Sequence, residues 1–181
     1  MWLVNLVENL LSITRIEDGR MNIRISPQPM EDVVEEALGF YNRNNLKHAI
    51  KVHYDDELII ANIDARLIIQ VITNLIDNAI KYSDENTVID MNVSHRDGDV
   101  FVSVSDEGCG ISNELKDKVF DMFYSGETKA ADSRRSLGIG LALCRTIMEA
   151  HGGAIWIEDN LPRGTRMIFR VQEGRVVLDE S

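Results

Sequence analysis

The run from Asp64 to Ser83 limits what this chain can fold into more than any other stretch. Leu67, Ile68, Val71, Ile72, Leu75, Ile76, Ala79 and Ile80 recur at helical spacing, and such a stripe must face a core. Asn74, Asn78 and Lys81 stand at i, i+4 and i+7, so they share one stripe on the opposite side, with Asp77 at its edge. Two carboxamides and an ammonium in line suit a metal and a phosphate chain. A carboxamide oxygen is a hard, neutral ligand of the kind Mg²⁺ accepts while it keeps waters and bridges phosphates. The ammonium is a compact point charge for the same phosphates. Taken alone, the stripe also fits an ordinary solvated helix face.

With 181 residues the chain is long enough for one domain with a real core and an appendage. Its formal net charge of −11 argues against nucleic acid or an anionic membrane as the main partner, since both call for a basic surface. A nucleotide needs only a local positive site, so it is not excluded. Cys109 and Cys144 lack the spacing of a disulfide framework or a zinc site and suit a reducing compartment. No apolar run approaches membrane-spanning length. The chain opens inside an uncapped helical pattern and reads as part of something longer.

Residues 1–18 carry Leu3, Leu6, Val7, Leu10, Leu11 and Ile13 near heptad spacing, with Gly19 as a stop. The stripe is wide for a lone helix and suits either a partner helix or burial against the domain that follows. A short strand is expected over 21–27, then a helix from Pro29 to about Lys47. Ile50–Tyr54 and Leu58–Ile63 read as strands around the acidic turn Asp55-Asp56-Glu57. Thr87–Ser94 and Val100–Ser105 alternate as paired strands joined at Arg96-Asp97-Gly98-Asp99. A short helix capped by Ser112 is expected to Lys118. Residues 124–136 have little apolar content and no period, as in a functional lid or a disordered segment. Leu137–Ala150 reads as a helix ended by Gly152-Gly153, followed by strands Ala154–Glu158 and Thr165–Val171 and a frayed tail over 173–181. Helices covering one face of a sheet, an α+β arrangement, fits this order.

Two further groups carry chemistry. Asp106-Glu107-Gly108-Cys109-Gly110-Ile111 follows a strand directly. A carboxylate there can accept from an exocyclic amine such as that of adenine, and the glycines permit close approach of a flat ligand. By itself the pattern is also a common turn. Ser136-Leu137-Gly138-Ile139-Gly140-Leu141 opens a helix, where free N–H groups and the dipole favour phosphate. Arg134 and Arg135 precede it and can reach phosphates. Glycines used for helix packing, or arginines left in solvent, look the same.

Taken in order, these elements closely resemble the ATP-binding catalytic domain of bacterial sensor histidine kinases, over about residues 29–172. Asn74–Ser83 resembles that family's N box and Asp106–Ile111 its first glycine box. Phe120-Asp121-Met122-Phe123 resembles the F box, Ser136–Leu141 the second glycine box, and Gly164-Thr165 the closing Gly-Thr element. The stretch Leu137–Gly153 is most similar to the potassium-responsive KdpD-type subgroup. The resemblance implies a Bergerat-type two-layer α/β sandwich, a mixed sheet covered by three helices on one face and preceded by an N-terminal helix. It implies ATP and Mg²⁺ as ligands. Asn74, Asn78 and Lys81 would form the catalytic set, with Asn78 on the metal, Asn74 supporting it and Lys81 on phosphate. Tyr82 would lie near the adenine and Asp106 would bind its amino group. Gly108 and Gly110 would shape the base pocket, and Ile111 and Phe120 are further expected nucleotide-binding positions. Gly138 and Gly140 would cradle the phosphates, with Arg134 and Arg135 able to reach them, and Leu141 and Thr165 are further expected nucleotide-binding positions. Ser136 departs from the family's usual glycine and bears on lid geometry.

The resemblance divides the chain into 1–20, the end of the second helix of a dimerisation and phosphoacceptor hairpin, then the catalytic domain over 21–172 and a tail over 173–181. The implied parent is a homodimer in the bacterial inner membrane with this domain in the cytoplasm, acting through a response regulator and not on nucleic acid. Gyrase-type and chaperone ATPases share the fold but carry Glu where Asn74 stands, and Asn cannot take a proton from water. A nucleotide-binding regulatory module without catalysis would keep the same motifs. Small serine kinases of the anti-sigma type share the fold too, and the helical stripe of residues 1–18 favours a histidine kinase over them. His48, His53 and His95 lack an acidic neighbour on a helix, and His151 stands at a helix C-terminus, where an imidazole suits the dipole in a structural role, so the acceptor histidine is expected outside this chain.

Overall fold

The computed structural model describes residues 2–41, 46–124 and 138–176. Helix α1 spans Trp2–Glu17 and Gly19 follows it at φ +65, a stop for which glycine is suited. Its Ile13 is buried, Leu6 and Ile16 pack on the core, and Asn9 Oδ1 accepts from Gln70 Nε2 (3.3 Å). Its other flank leaves Leu3, Val4, Val7, Leu10 and Leu11 exposed. Burial against the domain and an apolar face left over for a partner therefore coexist on one helix.

Strand β1 is Ser26–Pro29, not 21–27, and pairs antiparallel with Ile60–Ile63 in a two-stranded ribbon. Arg24 N–H is turned onto the Asp64 carboxylate instead of a strand neighbour (3.0 Å). Pro27 and Pro29 are tolerated because β1 has a neighbour on one side only. Helix α2 is Met30–Gly39, shorter than expected; it ends at Gly39, and residues 42–45 of the anticipated helix lie outside the described residues. Strands β2 (Ala49–Tyr54) and β3 (Ile60–Ile63) flank the acidic turn but enter different sheets. Each pairs with a more distant segment.

Helix α3 spans Ala65–Tyr82 and buries Leu67, Ile68, Val71, Ile72, Leu75, Ile76 and Ala79 as the spacing predicts; Ile69 is buried too, while Ile80 is only partly covered. Each fully buried side chain of this kind is worth about 1.5–3 kcal/mol, so the apolar face sets the rotation of the helix. Strands β4 (Val88–Arg96) and β5 (Asp99–Ser105) meet through Asp97 (φ 54) and Gly98 (φ 83), a hairpin turn with positive φ at both central residues. After β5, Ser112–Lys118 is turns and a 3₁₀ turn at Lys118–Phe120, not a helix. The Ser112 side chain makes no cap there; its carbonyl accepts from Leu115 N–H. Helix α4 is Gly140–Ala150, and β6 (Ala154–Asp159) and β7 (Thr165–Gln172) complete the sheet. Residues 125–137, with most of the anticipated lid, lie outside the described residues.

The five strands run in the order β2-β4-β5-β7-β6, with β2 parallel to β4 and the other pairs antiparallel. The core is one face of this sheet, with Ile89, Met91, Val93, Val102, Val104 and Phe169 buried beneath α2, α3 and α4. This is the mixed sheet with three covering helices, the α+β sandwich. The tail is not frayed from 173 onward: Gly174 N–H donates to the Ile60 carbonyl, and Glu173 pairs with His95 (3.1 Å). That Glu173 bond, against some burial and aided by Asp56, holds the His95 imidazolium above its ordinary range.

Asp64 and His151 tie the helices end to end. Asp64 caps α3 by accepting from Arg66 N–H (3.2 Å), and its own N–H donates to His151 Nε2 (3.0 Å). His151 Nδ1–H donates to the Ile147 carbonyl at the end of α4 (2.7 Å). Burial raises the Asp64 carboxyl, but its bonds from Arg24 and Arg66 outweigh this and leave it below its usual value. Asp64→Ala should therefore lose about 1–2 kcal/mol near neutral pH. A depressed carboxylate stabilises above its unfolded-state pKa, and that contribution disappears as pH falls through the folded-state pKa. Urea unfolding of both proteins from pH 7 down to pH 3 checks this: the gap should narrow toward acid.

Candidate functional site

The turn after β5 gathers the first cluster. Asp106 is 5 % exposed, and its Oδ1 accepts from Gly108 N–H (2.8 Å) and Thr165 N–H (3.2 Å). Burial pushes this carboxyl above the ordinary range, and the two N–H bonds oppose the rise. Both bonds land on Oδ1, so among the described contacts Oδ2 is left for another donor. Gly108 lies against the carbonyl of Tyr82, where a Cβ would collide with backbone. Gly110, at φ +76, faces the Gly164 carbonyl across 3.4 Å from where a Cβ would sit. A side chain at Gly108 would collide with neighbouring backbone and one at Gly110 would need a strained φ, so the turn can pack this closely only with glycine at both positions.

The second cluster joins α3 to the start of α4. Asn74 Nδ2 donates to the Gln70 carbonyl (3.0 Å), which aims its Oδ1 at Gly140: a Cβ there would stand 2.9 Å from that oxygen. Gly138, at φ +67, is pressed against Tyr124 backbone. Between the clusters lie Asn78, half-buried, and Lys81, whose ammonium sits 5.0 Å from the Tyr82 ring centre. From Asn74 to Tyr82 the helix rises about 12 Å, a length that a nucleoside triphosphate can span. Ile111 and Leu141 are partly buried, Phe120 is 2 % exposed beneath the Arg145 guanidinium (4.7 Å), and Arg134 and Arg135 lie outside the described residues.

Three contributors carry no signal in the sequence. Tyr41, just beyond α2, donates to Asp77 (2.7 Å) and to the Thr73 carbonyl (3.0 Å). Burial first, then the Asp77 charge, pushes its phenol far up, so it stays a donor. Burial also raises Asp77, which turns to α2 and away from the Asn74–Asn78–Lys81 stripe. Asn160 and Arg163, which read as mere turn residues, bond to the Asp106 and Gly108 carbonyls. Partners 36, 54 and 55 positions apart cannot be paired by spacing.

A buried carboxylate at a strand end, glycines on both sides and a carboxamide helix between them form an arrangement that fits a nucleotide, as expected of the histidine kinase-, DNA gyrase B- and HSP90-like ATPases. The profile of that family matches residues 63–175, and the chain belongs to it. Within the family it is 42 % identical over 154 residues to the sensor protein KdpD of Clostridium acetobutylicum, covering 85 % of this chain and 17 % of that protein. The catalytic domain of the histidine kinase ThkA superposes with a TM-score of 0.73 at 28 % identity, covering 83 % of this chain and 97 % of that one. ThkA in complex with the response regulator TrrA superposes at 0.70 and 26 % identity, over 94 % of this chain and 49 % of that one. The chain thus spans about a sixth of its KdpD relative and nearly all of an isolated kinase catalytic domain.

Gly108→Ala should force Tyr82 backbone to move and cost about 1–3 kcal/mol. Gly39→Ala, at the end of α2 with nothing within 4 Å of the new Cβ, should be neutral or stabilising by up to about 1 kcal/mol. Thermal melts of both variants check the contrast.

Proposed function

We propose that this chain is the ATP-binding catalytic domain of a two-component sensor histidine kinase, transferring the γ-phosphoryl group of ATP to a histidine on a helix outside residues 1–181. The observation that carries the reading is Asp106, a buried carboxylate with one oxygen pinned by two N–H groups and the other left for an amine. Asn78 would take the magnesium ion that arrives with the nucleotide. Its neutral oxygen fits that task, and among the described residues no group of three or more His, Cys, Asp and Glu side chains could hold a metal by itself. Lys81 would meet phosphate, and Gly138 and Gly140 would admit it to the start of α4, where the helix dipole favours an anion. Arg134 and Arg135 are proposed to add charge there.

Water attack is disfavoured, because Asn74, bonded to Gln70, offers no base. Phosphoryl transfer asks mostly for positioning and charge stabilisation, so an acceptor delivered in line suffices. The chain's own histidines are engaged elsewhere: His48 with Ser83, His53 with Asp90, His95 with Asp56 and Glu173, and His151 with Asp64 and Ile147. The exposed flank of α1 supports reading residues 1–20 as part of a dimerisation hairpin, ahead of a catalytic domain over 21–172. A homodimeric, membrane-anchored parent with this domain in the cytoplasm and a response regulator as next acceptor completes the proposal. No helix among the described residues is long and apolar enough to cross a membrane, so an anchor would belong to other segments of the parent.

Asp106→Asn replaces an acceptor by a donor facing the adenine amine and should weaken ATP by about tenfold to a hundredfold. Competition against a fluorescent ATP analogue reads this, and wild-type affinity in a folded variant would sink the assignment. With labelled ATP the chain alone should gain no acid-labile label, while a helical hairpin carrying the parent's acceptor histidine should. Label on the chain alone contradicts the external acceptor; none on the hairpin, with binding intact, favours a regulatory module.

A further inference from the structure

The loop between β6 and β7 is tied to the Asp106 turn more closely than a strand connection requires. Asn160 N–H closes the loop on the Gly164 carbonyl (3.1 Å). Its side-chain amide then donates to the Asp106 carbonyl (2.8 Å). Arg163 Nε donates to the Gly108 carbonyl (3.0 Å), while its Nη2 lies 3.9 Å from Asp84, just past the end of α3. Thr165 adds two more bonds, its N–H donating to the Asp106 side-chain Oδ1 (3.2 Å) and its carbonyl accepting from Asp106 N–H (2.9 Å). At the loop's other end Lys116 holds Asp159 (2.9 Å).

The turn Asp106-Glu107-Gly108-Cys109-Gly110 carries two glycines in five residues, so its backbone depends on outside contacts to hold one conformation. Glycine loses more freedom on ordering than any other residue. The wall on one side is the Tyr82 carbonyl at the end of α3; the tether on the other side is Asn160 and Arg163. A carboxylate discriminates bases only while its aim is held, since a hydrogen bond weakens steeply with angle.

We propose that Asn160 and Arg163 are positioning residues for base recognition: they hold the Asp106–Gly108 backbone so that the Asp106 carboxylate keeps a fixed aim at the exocyclic amine of adenine. The proposal rests on the site being an ATP site. Neither residue touches the nucleotide. Guanine presents a carbonyl where adenine presents the amine, so its binding draws nothing from the aim of that carboxylate. Loss of the tether therefore acts on selectivity and not on every nucleotide alike.

The experiment measures ATP and GTP affinities by competition for wild type, Asn160→Ala, Arg163→Met and Arg163→Lys, each checked by circular dichroism and melting. Wild type should prefer ATP. Each of the first two variants should weaken ATP by about threefold to tenfold, the worth of one hydrogen bond, and leave GTP unchanged, so the ratio falls. Arg163→Lys keeps an N–H for the Gly108 carbonyl and should retain most of the ratio. Arg163 is largely exposed, so Arg163→Met carries the test even where Asn160→Ala fails to fold. An unchanged ratio in folded Arg163→Met, or equal weakening of both nucleotides, overturns the positioning role while the ATP reading stands. A folded wild type that binds neither nucleotide overturns that reading and this proposal with it.

Discussion

The burial of one face of α3 against β4 and β5 is the constraint on which the rest depends. Ile68, Ile72, Leu75 and Ile76 are each at most 1 % exposed, over Met91, Val93, Val102 and Val104. Rotating the helix by one residue would lift several of these into water, at roughly 1.5–3 kcal/mol each. The apolar face thereby fixes the azimuth of everything else on the helix. Asn74 meets Gly140, Asp77 meets Tyr41, and the Tyr82 carbonyl meets Gly108 because none of them can slide independently.

The site itself is made by elements that end close together. Helix α3 contributes a polar stripe, β5 ends at Asp106, β7 begins at Thr165 beside it, and α4 starts at Gly140 against Asn74. Asp64 and His151 bind the far ends of α3 and α4 to each other, so the near ends hold their spacing too. A buried carboxylate is tolerable at Asp106 only because two backbone N–H groups share its charge. The same arrangement that keeps it from being a liability leaves one oxygen for a ligand.

Helix α1 shows how one sequence pattern can serve two surfaces. Ile13 and Asn9 commit one flank to α4 and α3, while Leu3, Val7 and Leu10 leave the other flank apolar and exposed. The helical period puts these two sets of side chains on different flanks of the same helix, so burying one set leaves the other in solvent.

Much of this was written in local periodicity and turn chemistry. The α3 face, the Asp97-Gly98 hairpin and the Gly19 and Gly152-Gly153 stops all depend on neighbours within a few residues, so spacing alone determined them; the site motifs were legible only through their resemblance to a known family. Tertiary structure decided what depends on distant partners. The strand at 21–27 gave way to β1 at Ser26–Pro29 because Arg24 N–H found Asp64. The helix expected after Ser112 gave way to a 3₁₀ turn that buries Phe120 under Arg145. Residue 173 left the tail because His95 and β3 offered it partners. Tyr41, Asn160 and Arg163 joined the site through hydrogen bonds that only the fold brings within reach. A helix face can be read from the chain because its period is intrinsic to the backbone; a hydrogen bond between residues 55 apart exists only once the packing of the helices on the sheet has set the distance.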